Sequence, residues 1–303
     1  MLRGTLLYLA NRRSIRHFVT HNRLARRSAR RFVAGETLEE ALQATRSLNQ
    51  QGFSVSLDHL GENVTDAAEA SSAAQDYIHI LDAIKQASLD ANISIKLTAL
   101  GLDIDTALCE ANVRRVLDRA KSYRTFVRID MEGSAYTERT LVLVAALRQE
   151  YEEVGTVIQS YLYRSAQDVE NLIAARTRVR LVKGAYKEPP EIAYPRKADV
   201  DRSYLQLMRQ LLARGNYPAI ATHDPRMIQE AKAFARANDI DTSRFEFQML
   251  YGIRRDLQAQ LIREGYRLRI YVPYGTHWYP YLTRRMAERP ANLFFILSNV
   301  VRR

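Results

Sequence analysis

TFVRIDMEGSAYTERTLVLVAALRQEYEEVGTVIQSYLYRSAQDVENLIAARTRVRLVKG, residues 125–184, alternates three β-rich runs with two helical patterns. The β-rich runs are TFVRID (125–130), GTVIQSY (155–161) and RVRLVKG (178–184), and the helical patterns occupy 137–150 and 165–176. Strands that are separated by helices run parallel, because a tight turn cannot join parallel neighbours. The segment therefore predicts an α/β fold built on a parallel sheet.

The same alternation extends over the chain from residue 36 onward. A capping box, Thr37 with Glu40 three residues later, opens a first helix. Five further β-rich runs bring the number to eight: FSVSLD (53–58), ISIKLT (93–98), PAIATH (218–223), FEFQML (245–250) and YRLRIYV (266–272). Eight strand–helix units in about 240 residues are typical of a single (β/α)8 barrel of the TIM type. An open doubly wound sheet is the alternative, although no GxGxxG motif lies between a strand and a helix.

The charge is concentrated at the start of the chain. The 303 residues carry a net charge of +11, nine arginines lie between Arg3 and Arg31, and the first acidic residue is Glu36. Residues 1–35 are therefore predicted to form a basic, amphipathic helical arm on a nearly neutral body, 36–303. Four interpretations stay open: helices packed on the body with solvated arginines, a helix on anionic membrane, a mitochondrial transit peptide, or a nucleic-acid-binding arm.

Composition excludes several classes of protein. With Cys109 as its only cysteine the chain cannot form an internal disulfide, which favours a reducing, cytoplasmic location. The longest apolar run, Leu141–Leu147, is far shorter than the ~18 residues of a membrane span. No histidine or cysteine spacing typical of a metal site occurs, and P-loop and GxSxG motifs are absent, so we predict no metal. Cys109 lies in a helical pattern and is predicted to be a small buried hydrophobe.

Polar side chains mark the ends of the predicted strands. In (β/α)8 barrels the active site forms where the strands end. The residues in question are Asp58, Lys96, Asp130, Gln159, Lys183, Thr222, His223, Gln248 and Tyr271. They predict a site at the barrel mouth, at which Lys183 could in principle form a Schiff base as in an aldolase.

The C-terminal segment YLTRRMAERPAN (281–292) offers a second group of charges. At helical spacing Tyr281, Arg284, Arg285 and Glu288 share one face. Two guanidinium groups near a barrel mouth are able to clamp a carboxylate, with Glu288 fixing the second one by an ion pair. A solvated helix surface is the alternative.

Seven motifs, in this order, resemble the proline dehydrogenase family. They are SIKLTALG (94–101), RIDMEGS (128–134), VIQSYLYR (157–164), RLVKGAY (180–186), ATHDP (221–225), FEFQMLYG (245–252) and YLTRRMAERPAN (281–292). The resemblance covers the body from residue 36 and is to the monofunctional bacterial form. The bifunctional relatives carry an aldehyde dehydrogenase domain, for which 303 residues leave no room.

The resemblance implies an activity, a cofactor and partners. It implies a distorted barrel with extra N-terminal helices that binds FAD and oxidises L-proline to Δ1-pyrroline-5-carboxylate by hydride transfer to flavin N5. Electrons would pass to a quinone or another acceptor, and a separate pyrroline-5-carboxylate dehydrogenase would act downstream. An enzyme that reduces a quinone makes peripheral contact of the basic arm with the inner face of the cell membrane a reasonable expectation, whereas no nucleic acid is expected as a partner.

Site residues follow from the resemblance position by position. Contacts to the substrate carboxylate fall on Lys96, Arg284 and Arg285, and the residues that enclose the proline ring are Tyr271, Tyr281 and Leu250. The active-site pair is Asp130 with Arg180, the latter near flavin N5, and we expect Asp130 to orient Lys96 and the arginines. Flavin contacts fall on Met131, Gln159, Lys183, Gly184, Ala185, Thr222 and His223. Gly184 is expected to let the backbone approach the flavin ring closely.

Two places depart from the family pattern. Gly133-Ser134 stands where an acidic residue and serine are expected, and Thr276-His277 stands where Arg-Asp is frequent. We expect local changes in these loops, the second of which bears on closure over the substrate.

Overall fold

Eight parallel strands close into a barrel in the order in which they occur along the chain. The computed structural model describes residues 30–288, with the side chains of 284–288 excepted. The strands are β1 (Ser54–His59), β2 (Ala91–Ile95), β3 (Val127–Ile129), β4 (Val154–Gln159), β5 (Arg178–Val182), β6 (Ala219–Ala221), β7 (Glu246–Leu250) and β8 (Leu268–Tyr274). Pairing of β1 with β8 completes the closure, with Ser56 opposite Tyr271. The predicted α/β barrel is confirmed.

A helix follows each strand. In the described part of the chain the helices are α1 (Leu38–Gln50), α2 (Ala67–Gln86), α3 (Thr106–Tyr123), α4 (Thr137–Leu147), α5 (Ser165–Ala174), α6 (Lys197–Arg214), α7 (Pro225–Ala237), α8 (Arg255–Arg263) and α9 (Trp278–Glu288). Helix α1 precedes the first strand and opens with the capping box that the sequence predicts, since Thr37 and Glu40 cap each other reciprocally.

Some element boundaries differ from the predictions. Strands β3 and β6 have three residues each, although six-residue runs were expected at both places. Helix α6 begins at Lys197 rather than at residue 201, and its N-cap Arg196 makes no side-chain capping bond. The start of this helix therefore carries no capping signal that a sequence could display.

Side chains on the strands alternate between an apolar shell and a polar lumen. One set, such as Leu57, Ile95 and Leu181, is fully buried in the apolar core that joins the strands to the helices. The other set faces the lumen, because Arg180 on β5 reaches Ser94 on β2 at 3.1 Å, a contact that a closed barrel permits only through its interior. Hydrophobic layers usually fill such barrels, so the polar lumen is the candidate location of a functional site.

Residues 30–35 pack on the end of the barrel near α9. Phe32 and Val33 lie in an apolar cluster with Trp278 and Tyr281, and Ala34 N–H donates to the Pro273 carbonyl at 2.9 Å. The rest of the predicted basic arm, residues 1–29, lies outside the described residues, so its interpretations stay predictions. Among residues 30–288, none of the helices is long and apolar enough to cross a membrane.

Candidate active site

Arg180 is the centre of the polar lumen. It projects from β5, its side chain is 6% exposed, and its Nη1 donates to Asp130 Oδ1 on the loop after β3 at 2.7 Å. Its Nε donates to Gln248 Oε1 on β7 at 2.5 Å, and its Nη2 donates to Ser94 Oγ at 3.1 Å. Three partners from three other strand ends therefore fix the plane of this guanidinium group.

Asp130 accepts a hydrogen bond at each of its oxygens. Arg180 occupies Oδ1, and the Tyr271 hydroxyl donates to Oδ2 at 2.7 Å. Burial, together with the negative charges of Asp130 and Asp58, raises the pKa of Tyr271 well above its ordinary value. Tyr271 therefore remains protonated and donates, and its ring lies 5.2 Å from the Arg180 guanidinium carbon.

A second ion pair lies beside the first. Lys96 Nζ is 2.5 Å from Asp58 Oδ1, and both side chains are almost fully buried. Burial by itself lowers the pKa of Lys96, but the carboxylate of Asp58, aided by Tyr77 and Asp130, raises it above the ordinary value. Lys96 is thus a buried cation whose partner is Asp58. Asp130 contacts Arg180 and Tyr271 and acts on Lys96 only through its charge, so the expectation that it orients Lys96 and the arginines stays a prediction.

Lys183 lies at the rim of the barrel rather than in its lumen. Its Nζ is 2.5 Å from Asp201 Oδ1 on α6 and 3.0 Å from Asp224 Oδ2, the N-cap residue of α7. A Schiff-base lysine attacks as a neutral amine, whereas here two carboxylates engage an ammonium group. The geometry does not favour the aldolase alternative.

Three further predicted residues also line the end of the barrel. Gln159 at the end of β4 donates through Nε2 to the Glu132 carbonyl at 3.0 Å. His223 accepts the backbone N–H of Leu250 at Nε2, at 2.9 Å, so in its neutral form the ring carries its proton on Nδ1. Thr222 Oγ1 accepts the backbone N–H of Asp224 at 3.1 Å. Met131, directly after Asp130, is buried.

Gly184 is required by a neighbouring side chain. Its φ is +119°, and a Cβ atom at this position would lie 2.6 Å from ring atoms of Tyr161. The side where a Cβ would project is therefore filled by the Tyr161 ring, and the expected approach of this backbone to a flavin stays a prediction. Ala185 follows in the loop that leads to α6.

The loop with the unusual Gly133-Ser134 pair contacts the loop after β5. Both the backbone N–H and the hydroxyl of Ser134 donate to the Glu188 carboxylate, at 2.8 and 2.5 Å. Tyr161 also contacts this carboxylate, at 3.4 Å. Ser134, which keeps the serine expected in the family, thus bridges the two loops directly after Gly133, the position that departs from the pattern. At the other departure, Thr276 and His277 are exposed directly before α9.

The predicted carboxylate clamp is described only in part. The backbones of Arg284, Arg285 and Glu288 belong to α9, and their side chains lie outside the described part. Tyr281 on the same helix is buried beside Trp278, and Leu250 ends β7. The clamp and the enclosure of a substrate ring therefore stay predictions.

Sequence reasoning missed several charged residues of the lumen. Arg128, Glu246 and Arg269 project inward below Arg180, and Asp201 and Asp224 partner Lys183. A signal for the first three was present, because charged residues alternate with apolar ones inside the strands themselves, as in Leu268–Tyr274. Such alternation in a buried barrel strand indicates a charged interior.

Comparison with known sequences gives a consistent result. The family model described as proline dehydrogenase matches residues 41–297. Proline dehydrogenase 1 of Bacillus subtilis (strain 168) is 42% identical over 303 residues, with 100% of both chains covered. The proline dehydrogenase of Deinococcus radiodurans is 46% identical over 279 residues, with 90% of each chain covered.

A solved structure agrees with the fold. Proline utilization A (PutA) from Bdellovibrio bacteriovorus, inactivated by N-propargylglycine, superposes with a TM-score of 0.81 at 28% identity. The match covers 86% of this chain and 32% of that longer chain, so the present chain spans about a third of the solved protein.

Proposed function

The chain belongs to the proline dehydrogenase family, and from this premise we propose that it oxidises L-proline to Δ1-pyrroline-5-carboxylate with FAD as hydride acceptor. The observation that carries the proposal is the buried Arg180–Asp130–Tyr271 cluster at the end of the barrel strands. Such a fixed, water-poor set of donors is suited to stabilising charge that develops during a reaction.

The donor set at the mouth fits a flavin ring. Isoalloxazine presents several acceptor atoms and one N–H donor, and the mouth offers a guanidinium, an amide and an imidazole. Arg180 spends three of its five N–H groups on Asp130, Gln248 and Ser94, which leaves one on each Nη atom. Those two N–H groups match a ligand that is rich in acceptors.

Seven residues would hold the cofactor. We assign this role to Met131, Gln159, Lys183, Gly184, Ala185, Thr222 and His223. When bound, the flavin would supply the acceptor for the hydride, that is, for one proton with two electrons. Arg180 would lie beside it and stabilise the negative charge that arrives.

The substrate carboxylate would meet a group of cations. Lys96 uses one of its N–H groups on Asp58, so two remain for the carboxylate. Arg284 and Arg285 would complete the contact, with about 1.5–3 kcal/mol from each charge-assisted hydrogen bond. Tyr271, Tyr281 and Leu250 would enclose the proline ring, which orients the reacting carbon.

Asp130 has an orienting role in this proposal. With Arg180 at one oxygen and Tyr271 at the other, its carboxylate holds two groups that border the reacting centre. These two hydrogen bonds, one at each oxygen, are the contacts on which the orienting role is assigned.

Partners and location extend the proposal. Electrons would leave for a quinone or another acceptor, and a separate pyrroline-5-carboxylate dehydrogenase would consume the product. A cytoplasmic protein whose basic segment 1–31 contacts the inner face of the cell membrane would be able to reach both a membrane quinone and a soluble downstream enzyme. Sedimentation with anionic liposomes, with and without residues 1–31, tests the contact; equal binding by the two forms would remove it from the proposal.

Anaerobic mixing of the flavin-loaded protein with proline tests the activity. L-Proline is expected to bleach the visible flavin absorbance, and D-proline serves as the control. A protein that takes up no FAD, or whose flavin stays oxidised with L-proline, would overturn the proposal. N-Propargylglycine, which inactivates the Bdellovibrio protein, is expected to abolish the activity irreversibly, with L-proline protecting.

A further inference from the structure

A row of buried polar side chains lies directly beneath Arg180. Arg180 Nε donates to Gln248 Oε1 at 2.5 Å, and Gln248 Nε2 in turn donates to Glu246 Oε1, two residues earlier on β7. Arg269 on β8 pairs with the same carboxylate, its Nε lying 2.9 Å from Oε1 and 3.2 Å from Oε2. Arg180, Gln248 and Glu246 are each at least 95% buried.

The Gln248 amide has two possible orientations, and its neighbours select one. In the observed orientation its oxygen faces the Nε–H of Arg180 and its NH2 faces the Glu246 carboxylate. A reversed amide would set a donor against the Arg180 N–H and an acceptor against the carboxylate. Both contacts would then be repulsive in a buried site.

Glu246 is itself held in place. Besides Arg269, the Tyr217 hydroxyl donates to Oε2 at 3.3 Å, and Arg269 Nη1 donates to the Val55 carbonyl at 2.9 Å. Burial raises the pKa of Glu246, but the charge and hydrogen bonds of Arg269, together with Gln248 and Arg128, outweigh it and hold the pKa below its ordinary value. The group is a carboxylate at neutral pH and accepts only.

We propose that Glu246 is a positioning residue for the reaction: through Gln248 it fixes the guanidinium plane of Arg180. The inference rests on the proposed function, because it concerns how Arg180 is aimed at the reacting groups. The competing explanation is structural, with Glu246 serving only as the counter-ion of Arg269.

A double-mutant cycle on the FAD-loaded protein separates the two explanations. The variants are Glu246→Gln, Gln248→Met and both together, each measured for kcat and KM with L-proline, the flavin reduction potential and Tm. We expect Glu246→Gln to lower kcat by about 10- to 100-fold with a smaller change in KM, since misaligned catalytic groups lose rates of this order. When Gln248→Met is already present, adding Glu246→Gln is expected to leave kcat and the flavin reduction potential at the values of the Gln248→Met variant, while still lowering Tm.

A charge swap keeps the test decisive if Glu246→Gln folds poorly. Glu246→Gln combined with Gln248→Glu preserves the net charge of the lumen, and the carboxylate at 248 accepts from Arg180 without a choice of orientation. We expect the swap to recover most of the lost kcat and to return the reduction potential toward that of the unaltered enzyme. Glu264→Gln is the matched control, because Glu264 pairs with buried Lys232 on the outer helices; it is expected to lower Tm and spare kcat.

The outcomes are distinguishable. Losses in kcat that multiply in the double variant, or a swap that recovers Tm but not kcat, would overturn the positioning role and leave the structural one. If the unaltered protein does not transfer electrons from L-proline to flavin, the proposed function fails before the cycle is reached.

Discussion

Arg180 and Lys183 lie three residues apart on one stretch of chain and have very different surroundings. Arg180 is within β5, 6% exposed, and contacts side chains from three other strand ends. Lys183 directly follows β5, is 26% exposed, and pairs with two carboxylates at the rim. Solvent and salt screen the rim pair, whereas the lumen pair is shielded from both. The same strand end therefore supplies one buried cation in the lumen and one partly exposed cation that pairs with α6 and the start of α7.

Among the predictions, we expect the largest difference in stability and activity between the Arg180→Met and Lys183→Met variants. Arg180→Met leaves Asp130 without its ion pair and Gln248 without its donor, so we expect a loss of about 3–5 kcal/mol in the free energy of unfolding. Flavin reduction by L-proline is expected to slow at least ~100-fold. Lys183→Met is expected to lower stability by about 1 kcal/mol.

Urea unfolding and stopped-flow absorbance measure the two effects. Arg180→Lys serves as the control, because it keeps the charge and loses the three-way hydrogen bonding. Equal losses in the Arg180→Met and Lys183→Met variants would refute the contrast.

Gly184 tests whether the rim depends on its backbone more than on the charge of Lys183. In Gly184→Ala the new Cβ meets the Tyr161 ring at 2.6 Å on a backbone with φ of +119°. Strain and overpacking together are expected to lower stability by about 3 kcal/mol. Gly265→Ala is the matched control: its φ is +80° with nothing within 4 Å of the Cβ, so about 1 kcal/mol is expected. Equal losses of stability in the two variants, measured by thermal unfolding, would show that the Tyr161 ring moves aside at little cost in free energy.

Tyr271 extends the lumen side of the comparison. Tyr271→Phe removes the hydroxyl that donates to Asp130 and leaves the Arg180–Asp130 pair intact. We expect a loss of about 2 kcal/mol in stability, as for a hydrogen bond to a charged group, and a roughly tenfold lower kcat. Tyr274→Phe on the same strand is the control, since the Tyr274 hydroxyl makes no hydrogen bond to a residue within 30–288. A Tyr271→Phe variant that matches this control in both measurements would remove Tyr271 from the network.

The contrast also explains what the sequence could and could not predict. Hydrophobic periodicity predicted eight strands, because a strand that buries one face against helices has apolar residues at every second position. The position of polar residues at the ends of strands predicted Lys96, Asp130 and Gln159 at the barrel mouth. The sequence could not predict which side chains form ion pairs, since a pair such as Lys96 with Asp58 depends on the register between neighbouring strands.

Partners from distant elements were beyond the reach of local patterns. Asp201 and Asp224 reach Lys183 from two helices that follow later in the chain, so their contact depends on how the helices pack. The role proposed for Arg180 came from the family resemblance, and its contact with Gln248, which in turn contacts Glu246, depends on how β5 and β7 face each other across the lumen. Tertiary packing, not propensity, decides both cases.

Acid titration provides the finest test of the rim cluster. Burial raises the pKa of Asp201 and of Asp224, but hydrogen bonds and charge from Lys183, with Lys197 adding to them, hold both below the ordinary value of 3.8. Because the folded-state pKa values are lowered, these carboxylates stabilise the fold above about pH 4, and that contribution is lost as the pH falls through the folded values. The difference in unfolding free energy between the unaltered protein and the Lys183→Met variant is therefore expected to become smaller as the pH drops from about 6 to about 3. For Lys197→Met, which removes an exposed cation that forms an ion pair with Asp201 but not with Asp224, the corresponding difference is expected to decrease less as the pH falls. A gap in unfolding free energy that stays constant over this range would mean that Lys183 stabilises the rim by packing and not through its two carboxylates.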